Sequence, residues 1–591
     1  MTSLATSAGA GPLASAAPRA QRPLRILFLV SAHNSLSQRV FVALTDLGHD
    51  VAVEVVESST AIEAAVVRHT PELIVCPMLK SIIPESVWSR HRCLIVHPGP
   101  KGDRGPSSLD WAIELEMAEW GVTVLEATGE VDGGGVWASR AFRTREAGKS
   151  SLYRHEVRRA AIEAVLDVVT LVAAGGRAVE PVDYRDASVV GRPRPLIRQP
   201  DRAIDWSFDS TTTVIRRIRA AEGHPGVLDR IGGIEFHLFG VHREDTLRGV
   251  PGEILAQRYG AICRATVDGA VWISHLKRPG HFKLPATHAL AVAGYQLDVA
   301  ELPAPLHAPP FSPRTFREIA YEEHRGVGYL HFDFYNGAMS TDQCRRLLDA
   351  YRFARSRGTS VIVLMGGIDF FSNGIHLNVI EAAEDPAAES WSNLQAIDDV
   401  VLELIETDSQ LVVSALMGDA AAGGVPFALA ADHVLAREDV VLNPYYGHMG
   451  GLYGSEYWTY LLPRRVGEEM TVVLTSPPFE PLGARRAAEI GLIDDAFGDT
   501  AEQFRVGVRR YAEQLASSPA RLAELAAKRR SRARDEQRRP LAAYRADELA
   551  RSHECFYGTD PSYHEARRRF VYKLRSSCAV APGAALTEPP A

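Results

Sequence analysis

The sequence predicts a multidomain α/β protein: a Rossmann-like domain, a small OB-like β-barrel, a second α/β domain, and a helical C-terminal region. Three observations predict it. Apolar runs alternate with capped amphipathic stretches at βαβ spacing, once near the start and again beyond residue 325, which implies parallel sheets. Between these regions, short alternating segments separated by glycine turns have the pattern of a small barrel. The 591 residues also exceed what one hydrophobic core organises.

Residues 1–22 are Ala, Ser and Gly with few large apolar side chains and no signal-peptide core, and read as a disordered extension. Residues 23–200 form the first domain. "RILFLV" is a buried strand, "NSLSQRVFVALTDLG" a capped helix stopped by glycine, and "HDVAVEVV" the next strand. "ELIVCP" and "RCLIVHPG" continue the sheet, each ending in a proline loop. Ligands of open parallel sheets bind at the carboxyl ends of strands, so Cys76–Trp88 and His97–Ser108 are the candidate site loops. The stretch "GRPRPLIRQP" closes this domain. Residues 201–302, with "GIEFHLFGV", "GEILAQ" and "AVWISHL", are the barrel, and residues 303–324 are a Pro-rich linker. In 325–515 the strands "GVGYLHFDF" and "SVIVLMGG" flank the capped helix "STDQCRRLLDAYRFARS". Residues 516–578 read as helical and basic, and 579–591 as a disordered tail.

Composition sets the function class. With 46% hydrophobic and 23% charged residues the chain is an ordinary soluble globular protein. A net charge of −8 offers no general attraction for nucleic acid or anionic lipid. Six scattered cysteines without a CxxC suit a reducing cytoplasm and supply neither disulfides nor a metal site. No apolar run reaches the ~18 residues of a membrane span. A cytoplasmic enzyme acting on small molecules is expected, with no metal, membrane or nucleic acid.

The stretch "HPGPKGDRGPSSLDWAI" delivers His97 from a strand into a loop of Pro, Gly and Ser. A histidine held there can act as general base or acid. Downstream, "VTVLEATGEVDGGGV" puts Asp132 before three glycines, which admit a substrate close to the backbone. On residue type alone, His97 could equally just bond its own loop. The order strand, His, Pro-rich loop, Arg-Gly, helix, then "GVTV" and Asp-Gly resembles the 10-formyltetrahydrofolate-dependent formyltransferases over about residues 23–300. "AIDWS" and "RRIRAAEGHPG" are similar to the start of the barrel domain in methionyl-tRNA formyltransferase. The resemblance implies His97 and Asp132 as catalytic residues and folate contacts at Met78, Leu79, Ile95, Arg104 and Gly105. The family's third catalytic residue, an asparagine two positions before the histidine, is Ile95 here. Isoleucine has no amide to donate, and losing one oxyanion donor costs ~10²–10³ in rate. Either the acceptor is a better nucleophile than an amine, as a thiolate is, or another donor stands in. Residues 201–310 carry twelve Lys/Arg against twelve Asp/Glu, so no footprint for tRNA is expected.

A second pair of motifs, "FFSNGIHLNVIE" and "MGDAAAGGVPFALAAD", ends two strands in small residues. Two backbone N–H groups at such turns can converge on one carbonyl oxygen; close helix–strand packing is the alternative reading. Together, with "GARRAAEIGLIDDAF", they resemble the crotonase (enoyl-CoA hydratase/isomerase) superfamily over about residues 325–515. The resemblance implies an oxyanion hole of Ile375 and Gly423 and CoA contacts at Asn373, Gly374 and Gly424. The two catalytic glutamates of hydratases fall on Pro426 and near Tyr445, so hydration of an alkene is not expected. The proton carriers on offer are Tyr445, Tyr446, His448 and Tyr453, with the adjacent tyrosine pair placed first.

A formyl-donor site and a CoA-thioester site in one chain suggest formyl transfer from 10-formyltetrahydrofolate to CoA, then decarbonylation of formyl-CoA to carbon monoxide and CoA. The pairing of "HPGPKGDRGPSSLDWAI" with "FFSNGIHLNVIEAAEDPAAESW" resembles the HypX/HoxX hydrogenase maturation proteins over nearly all of residues 23–575. That resemblance implies a CO ligand made for the iron of a [NiFe]-hydrogenase, and the iron-site assembly machinery as partner. Three readings stay open beside it: a 10-formyltetrahydrofolate hydrolase, a methionyl-tRNA formyltransferase, and a crotonase half that only tethers CoA as a scaffold.

Overall fold

The computed structural model describes residues 22–177, 179–307 and 314–574. The terminal stretches expected to be disordered lie outside these residues, Arg22 apart.

The first sheet holds β1 (Arg25–Val30), β2 (Asp50–Val55), β3 (Leu73–Cys76), β4 (Cys93–His97), β5 (Glu119–Glu126) and β6 (Val136–Arg143). Its order is β2-β1-β3-β4-β5-β6; the first four strands are parallel and the last two antiparallel. Helices Ser35–Asp46 and Arg158–Ala173 bury Leu36, Val40, Val165 and Val168 on one face, while Ser59–His69 brings Ile62 and Ala65 to the other. Strands buried on both faces need the near-continuous apolar runs seen in the sequence.

The second region holds β7 (Val227–Ile231), β8 (Ile234–Glu244), β9 (Ile254–Arg258), β10 (Ala261–Ala265), β11 (Ala270–Lys277) and β12 (Lys283–Pro285). The antiparallel path β7-β8-β11-β10-β9, with β12 beside β11, does not close: among the described residues β7 and β9 are unpaired with each other. The expected barrel is therefore an open sheet. Its apolar face is covered by helices Thr211–Ala221 and Ala286–Val292, whose Val214, Ile218 and Leu290 pack with Phe236, Leu238 and Ile273. Helices that bury this face do the work that closure would otherwise do.

The third region holds β13 (Ile319–His324), β14 (Val327–Phe332), β15 (Val361–Met365), β16 (Phe370–Ser372), β17 (Leu411–Leu416), β18 (Asp419–Ala421), β19 (His433–Ala436), β20 (Val441–Asn443), β21 (Leu482–Gly483) and β22 (Asp495–Ala496). One sheet runs β13-β14-β15-β17-β19-β22 and a smaller one β16-β18-β20-β21. Strand β13 lies within the stretch read from sequence as a linker, yet it pairs antiparallel with β14. The prolines end before it, and its Tyr321 packs into the core. In β15–β16, β17–β18 and β19–β20 the chain steps from the large sheet to the small one. Because β16 and β18 are parallel, both chains leave the small sheet at the same edge. That edge carries the second site.

Four helices follow, Ala501–Ser517, Arg521–Arg538, Leu541–Tyr557 and Ser562–Tyr572. The first and third regions meet along helix Arg158–Ala173 and the turn before it. Arg158, 1% exposed, donates to Asp419 and Asp439, each at 2.9 Å. Asp369 accepts from Ser151 at 2.6 Å and lies 2.9 Å from His155.

Candidate active sites

β4 ends at His97 because Pro98 and Pro100 have no N–H with which to continue the ladder. The Asp103 N–H then donates to the Pro100 carbonyl at 2.8 Å, and this turn folds Asp103 back over the strand end. His97, 5% exposed, has a carboxylate at each ring nitrogen: Asp103 Oδ2 lies 2.9 Å from Nε2 and Asp132 Oδ2 lies 3.7 Å from Nδ1. Arg194 holds the far oxygen of Asp103 at 2.9 Å. Gly99 is required between them, since a Cβ there would stand 2.3 Å from Asp103 Oδ2 and 2.6 Å from His97 Nε2.

Asp132 sits in the left-handed region at φ 52°, and its Oδ2 accepts the Gly105 N–H at 3.3 Å. Thus Asp132, His97 and Gly105 converge. Ile95 and Leu79 border one apolar cluster, Arg104 pairs with Glu130 beside Asp132, and Met78 faces the large cavity described below. The Arg104 Nε is buried with no partner among the described residues. Asp103 escaped the sequence reading, although "PKGD" carried the turn signal that returns it to the histidine.

In the second site the turns after β16 and β18 lie side by side. Gly374, at φ 75°, packs so close that an added Cβ would be 3.2 Å from the Gly423 nitrogen. Gly424 leaves room for the Ser372 carbonyl, which a Cβ would approach to 2.0 Å. Asn373 is tied by its side chain to the Asn336 carbonyl at 2.7 Å. Among the described residues, the N–H groups of Ile375 and Gly423 donate to no protein group, and both residues line the cavity. Two free amides facing one space can hold a carbonyl oxygen.

Pro426 is buried in the short helix Gly424–Leu429, and no proton carrier stands in its place. The acid comes from elsewhere. Glu456, 1% exposed, presses against the same turn: a Cβ on Gly423 would stand 2.2 Å from its Oε1. Tyr446 donates to Glu456 Oε2 at 2.7 Å and to the Ser455 carbonyl at 3.1 Å. Burial, and then the negative charge of Asp398, push the Glu456 carboxyl up to about 8.

The two tyrosines grouped from sequence part ways here. Tyr445 donates to the Asn443 side chain at 3.0 Å and packs at a tilt against Phe479, with no hydrogen bond to a carboxylate. His448 lines the cavity; Tyr453 packs on Trp458 and Arg551 outside it. Glu456 was missed because "YGSEYW" carries no periodicity or spacing that marks it; its only signal is an acid among glycine and aromatics.

A cavity of about 820 Å³ runs between the regions. Met78, Lys80 and Leu109 line it from the first; Ile375, Gly423, Tyr446 and Glu456 line it from the third. Lys80, Lys149, Arg154 and Lys573 put positive charge on its wall. Burial, with the fields of Lys80, Lys277, Lys149 and Lys573, lowers the His224 imidazole beside them. Among the described residues no group of three His, Cys, Asp or Glu side chains is placed to hold a metal, and no helix is long and apolar enough to cross a membrane.

Comparison with known proteins matches residues 322–575 to the family Enoyl-CoA hydratase/isomerase and residues 196–293 to Formyl transferase, C-terminal domain. The hydrogenase maturation factor HoxX of Bradyrhizobium diazoefficiens is 47% identical over 556 residues, which are 94% of this chain and 96% of that protein. The putative enoyl-CoA hydratase/isomerase YhaR of Bacillus subtilis is 31% identical over 184 residues, 31% of this chain and 69% of that protein. Among solved structures, HypX from Aquifex aeolicus in complex with tetrahydrofolic acid superposes with a TM-score of 0.90 at 42% identity, covering 94% of this chain and 97% of that one.

Proposed function

The chain belongs to the HoxX/HypX family of hydrogenase maturation factors, and from that premise we propose that it transfers formyl from 10-formyltetrahydrofolate to CoA and releases carbon monoxide from formyl-CoA. The observation that carries this reading is the cavity that runs from Met78, a candidate folate contact of the first region, to Ile375, Gly423, Tyr446 and Glu456 of the second site. It is large enough for an extended thiol cofactor, and its lysines and Arg154 suit the phosphates of CoA.

At the first site the reading gives His97 the part of general base. It takes the proton of the acceptor thiol, the sulfur attacks the formyl carbon, and His97 returns the proton to the departing folate nitrogen. Asp103 and Asp132 stabilise the imidazolium between these steps. Met78, Leu79, Ile95, Arg104 and Gly105 stand as folate contacts. The apolar Ile95 removes the amide that would assist an amine acceptor, and a thiolate depends on it less. The relative crystallised with tetrahydrofolic acid supports folate as the donor.

At the second site the Ile375 and Gly423 amides receive the formyl oxygen, with Asn373, Gly374 and Gly424 shaping the approach. Glu456 accepts the formyl proton. The C–H pair becomes the carbon lone pair of CO, the C–S pair stays on sulfur, and Glu456 hands the proton to the thiolate. No atom changes its overall oxidation balance and no co-reactant is needed. Tyr446 steadies the carboxylate by its hydrogen bond. A carboxyl titrating at about 8 is suited to both taking and giving a proton near neutrality. The CO is then available to the iron site of a [NiFe]-hydrogenase through its assembly machinery.

The test is incubation of the protein with 10-formyltetrahydrofolate and CoA while CO is trapped on a haem protein. CO in step with tetrahydrofolate supports the reading. Formate with no CO, independent of CoA, would mark a hydrolase instead.

A further inference from the structure

The helix Leu541–Tyr557 follows the last of the three strand-bearing regions, yet it inserts an acid beneath the second site. Glu548 is 0% exposed. Its Oε2 accepts the Tyr457 N–H at 2.8 Å and the Ser455 hydroxyl at 3.4 Å; its Oε1 accepts the Thr459 N–H at 2.8 Å and the Thr459 hydroxyl. From the opposite side Asp398, 0% exposed on helix Pro386–Ile405, accepts the Glu456 N–H at 2.7 Å and the Ser455 hydroxyl at 2.8 Å.

Between these two acids the chain is contorted. Glu456 and Tyr457 are consecutive non-glycine residues in the left-handed region, at φ 63° and 57°. Such residues are strained and persist only where their surroundings hold them. Here every backbone donor from Ser455 to Tyr457 is claimed: the Ser455 N–H by Glu456 Oε2 at 3.1 Å, the next two by Asp398 and Glu548. The turn aims the Glu456 carboxylate at Gly423 and Tyr446.

We propose that Glu548 and Asp398 are positioning residues for Glu456, clamping the left-handed turn that presents its carboxylate to the Gly423 turn, so that the helix Leu541–Tyr557 completes the second site. The proposal rests on the reading of Glu456 given above. The groups facing the turn are Asp398 and Asp399 from helix Pro386–Ile405, Glu548 and Arg545 from helix Leu541–Tyr557, and Tyr446 and Tyr457 beside Glu456 itself. Arg545 lies 3.6 Å from Asp398 and 2.7 Å from Asp399, leaving Glu548 without a cation among its bonded partners. Burial raises all three carboxyls; for Glu456 the charge of Asp398 adds to it, whereas Arg545 opposes the rise at Asp398 and the Thr459 hydrogen bonds oppose it at Glu548. The clamp thus does two things: it fixes where the Glu456 carboxylate points, and its charge holds back that carboxylate's ionisation.

Glu548→Gln removes the charge and one of the two oxygens that accept backbone N–H groups, whereas Asp398→Asn removes the charge and can keep its bond to the Glu456 N–H with its amide facing the Ser455 hydroxyl. In the full-length protein, the midpoint of CO release from formyl-CoA against pH is expected to move down by about 1 unit in either variant. Infrared titration of the buried carboxyl band that Glu456→Gln deletes reads the same group without turnover, and the band should shift in parallel. An unmoved band in both variants overturns the proposal, whatever happens to the rate. A band that moves while Glu456→Gln still releases CO at the parental rate upholds the clamp and overturns the catalytic reading of Glu456 instead. Should Glu548→Gln fail to fold, Asp398→Asn decides alone.

Discussion

Glu456 is an acid whose carboxyl is held well above its ordinary value by burial and by the acids of two helices, Asp398 and Glu548. Its ordinary carboxyl value of 4.5 is raised to about 8 in the fold, burial being the first cause. The sign of the linkage follows. A carboxyl bound more tightly to its proton when folded contributes stability that is whole below pH 4.5 and is lost as pH rises through about 8. Glu456→Gln should therefore melt progressively higher than the parent as pH rises across that window, with the gap largest above it; thermal unfolding at a series of pH values checks this. The same variant should release tetrahydrofolate normally while CO falls by ~10²–10⁴, the usual size of a general acid–base contribution. At the first site, Asp103→Asn removes one of the two charges that stabilise a protonated His97. Formyl transfer is expected to drop by at least ~10-fold with CO release from supplied formyl-CoA unchanged, measured as tetrahydrofolate and CO in separate assays.

At the scale of elements, the parallel pairing of β16 with β18 brings together the two turns proposed as an oxyanion hole, because parallel strands end on one edge and carry their following turns to the same place. The glycines there are spaces for neighbours rather than hinges. Gly423→Ala would drive its methyl into the Glu456 carboxylate, 2.2 Å from Oε1, in a spot walled by Tyr446 and Ser455. CO release should fall by ~10²-fold or more with the transfer half intact, read as formate replacing CO among the products. The motifs around both turns were legible in sequence because each strand ends in small residues at a fixed place. The convergence of Glu456 on them was not: it lies on a turn with no period, and its aim depends on acids 58 residues before and 92 after it in the chain.

For the molecule as a whole, the cavity between the first and third regions holds its shape only while those regions stay docked. Arg158 is the main fastening. It is fully buried between Asp419 and Asp439, and those two carboxylates hold it well above the ordinary arginine value against the opposing cost of burial. Arg158→Met leaves the buried Asp419 without its cation, Asp439 keeping Arg437 at 2.8 Å, and should cost ~3–5 kcal/mol, seen as a lower Tm at neutral pH. Asp439, held down at about 2 by Arg158 and Arg437 against burial, adds stability that is whole above pH 3.8 and is lost as pH falls through about 2. The deficit of the variant should accordingly shrink on acidification. Its released formyl should also partition toward formate, as a loosened seam admits water to the cavity.

By itself the sequence determined the alternation of the two α/β regions, the strand-end histidine and Asp132, the paired small-residue turns and the family resemblance, because each is written within one short stretch by period or spacing. Tertiary structure alone decided that the middle sheet stays open under two helices, that Asp103 is the nearer partner of His97, and that Tyr446 rather than Tyr445 meets an acid. It also decided that Glu456 is that acid, braced by Glu548 from the end of the chain. The division has one cause. Hydrophobic periodicity is set by neighbours along the chain, whereas the ionisation and aim of a buried carboxylate are set by whatever distant groups the fold packs against it.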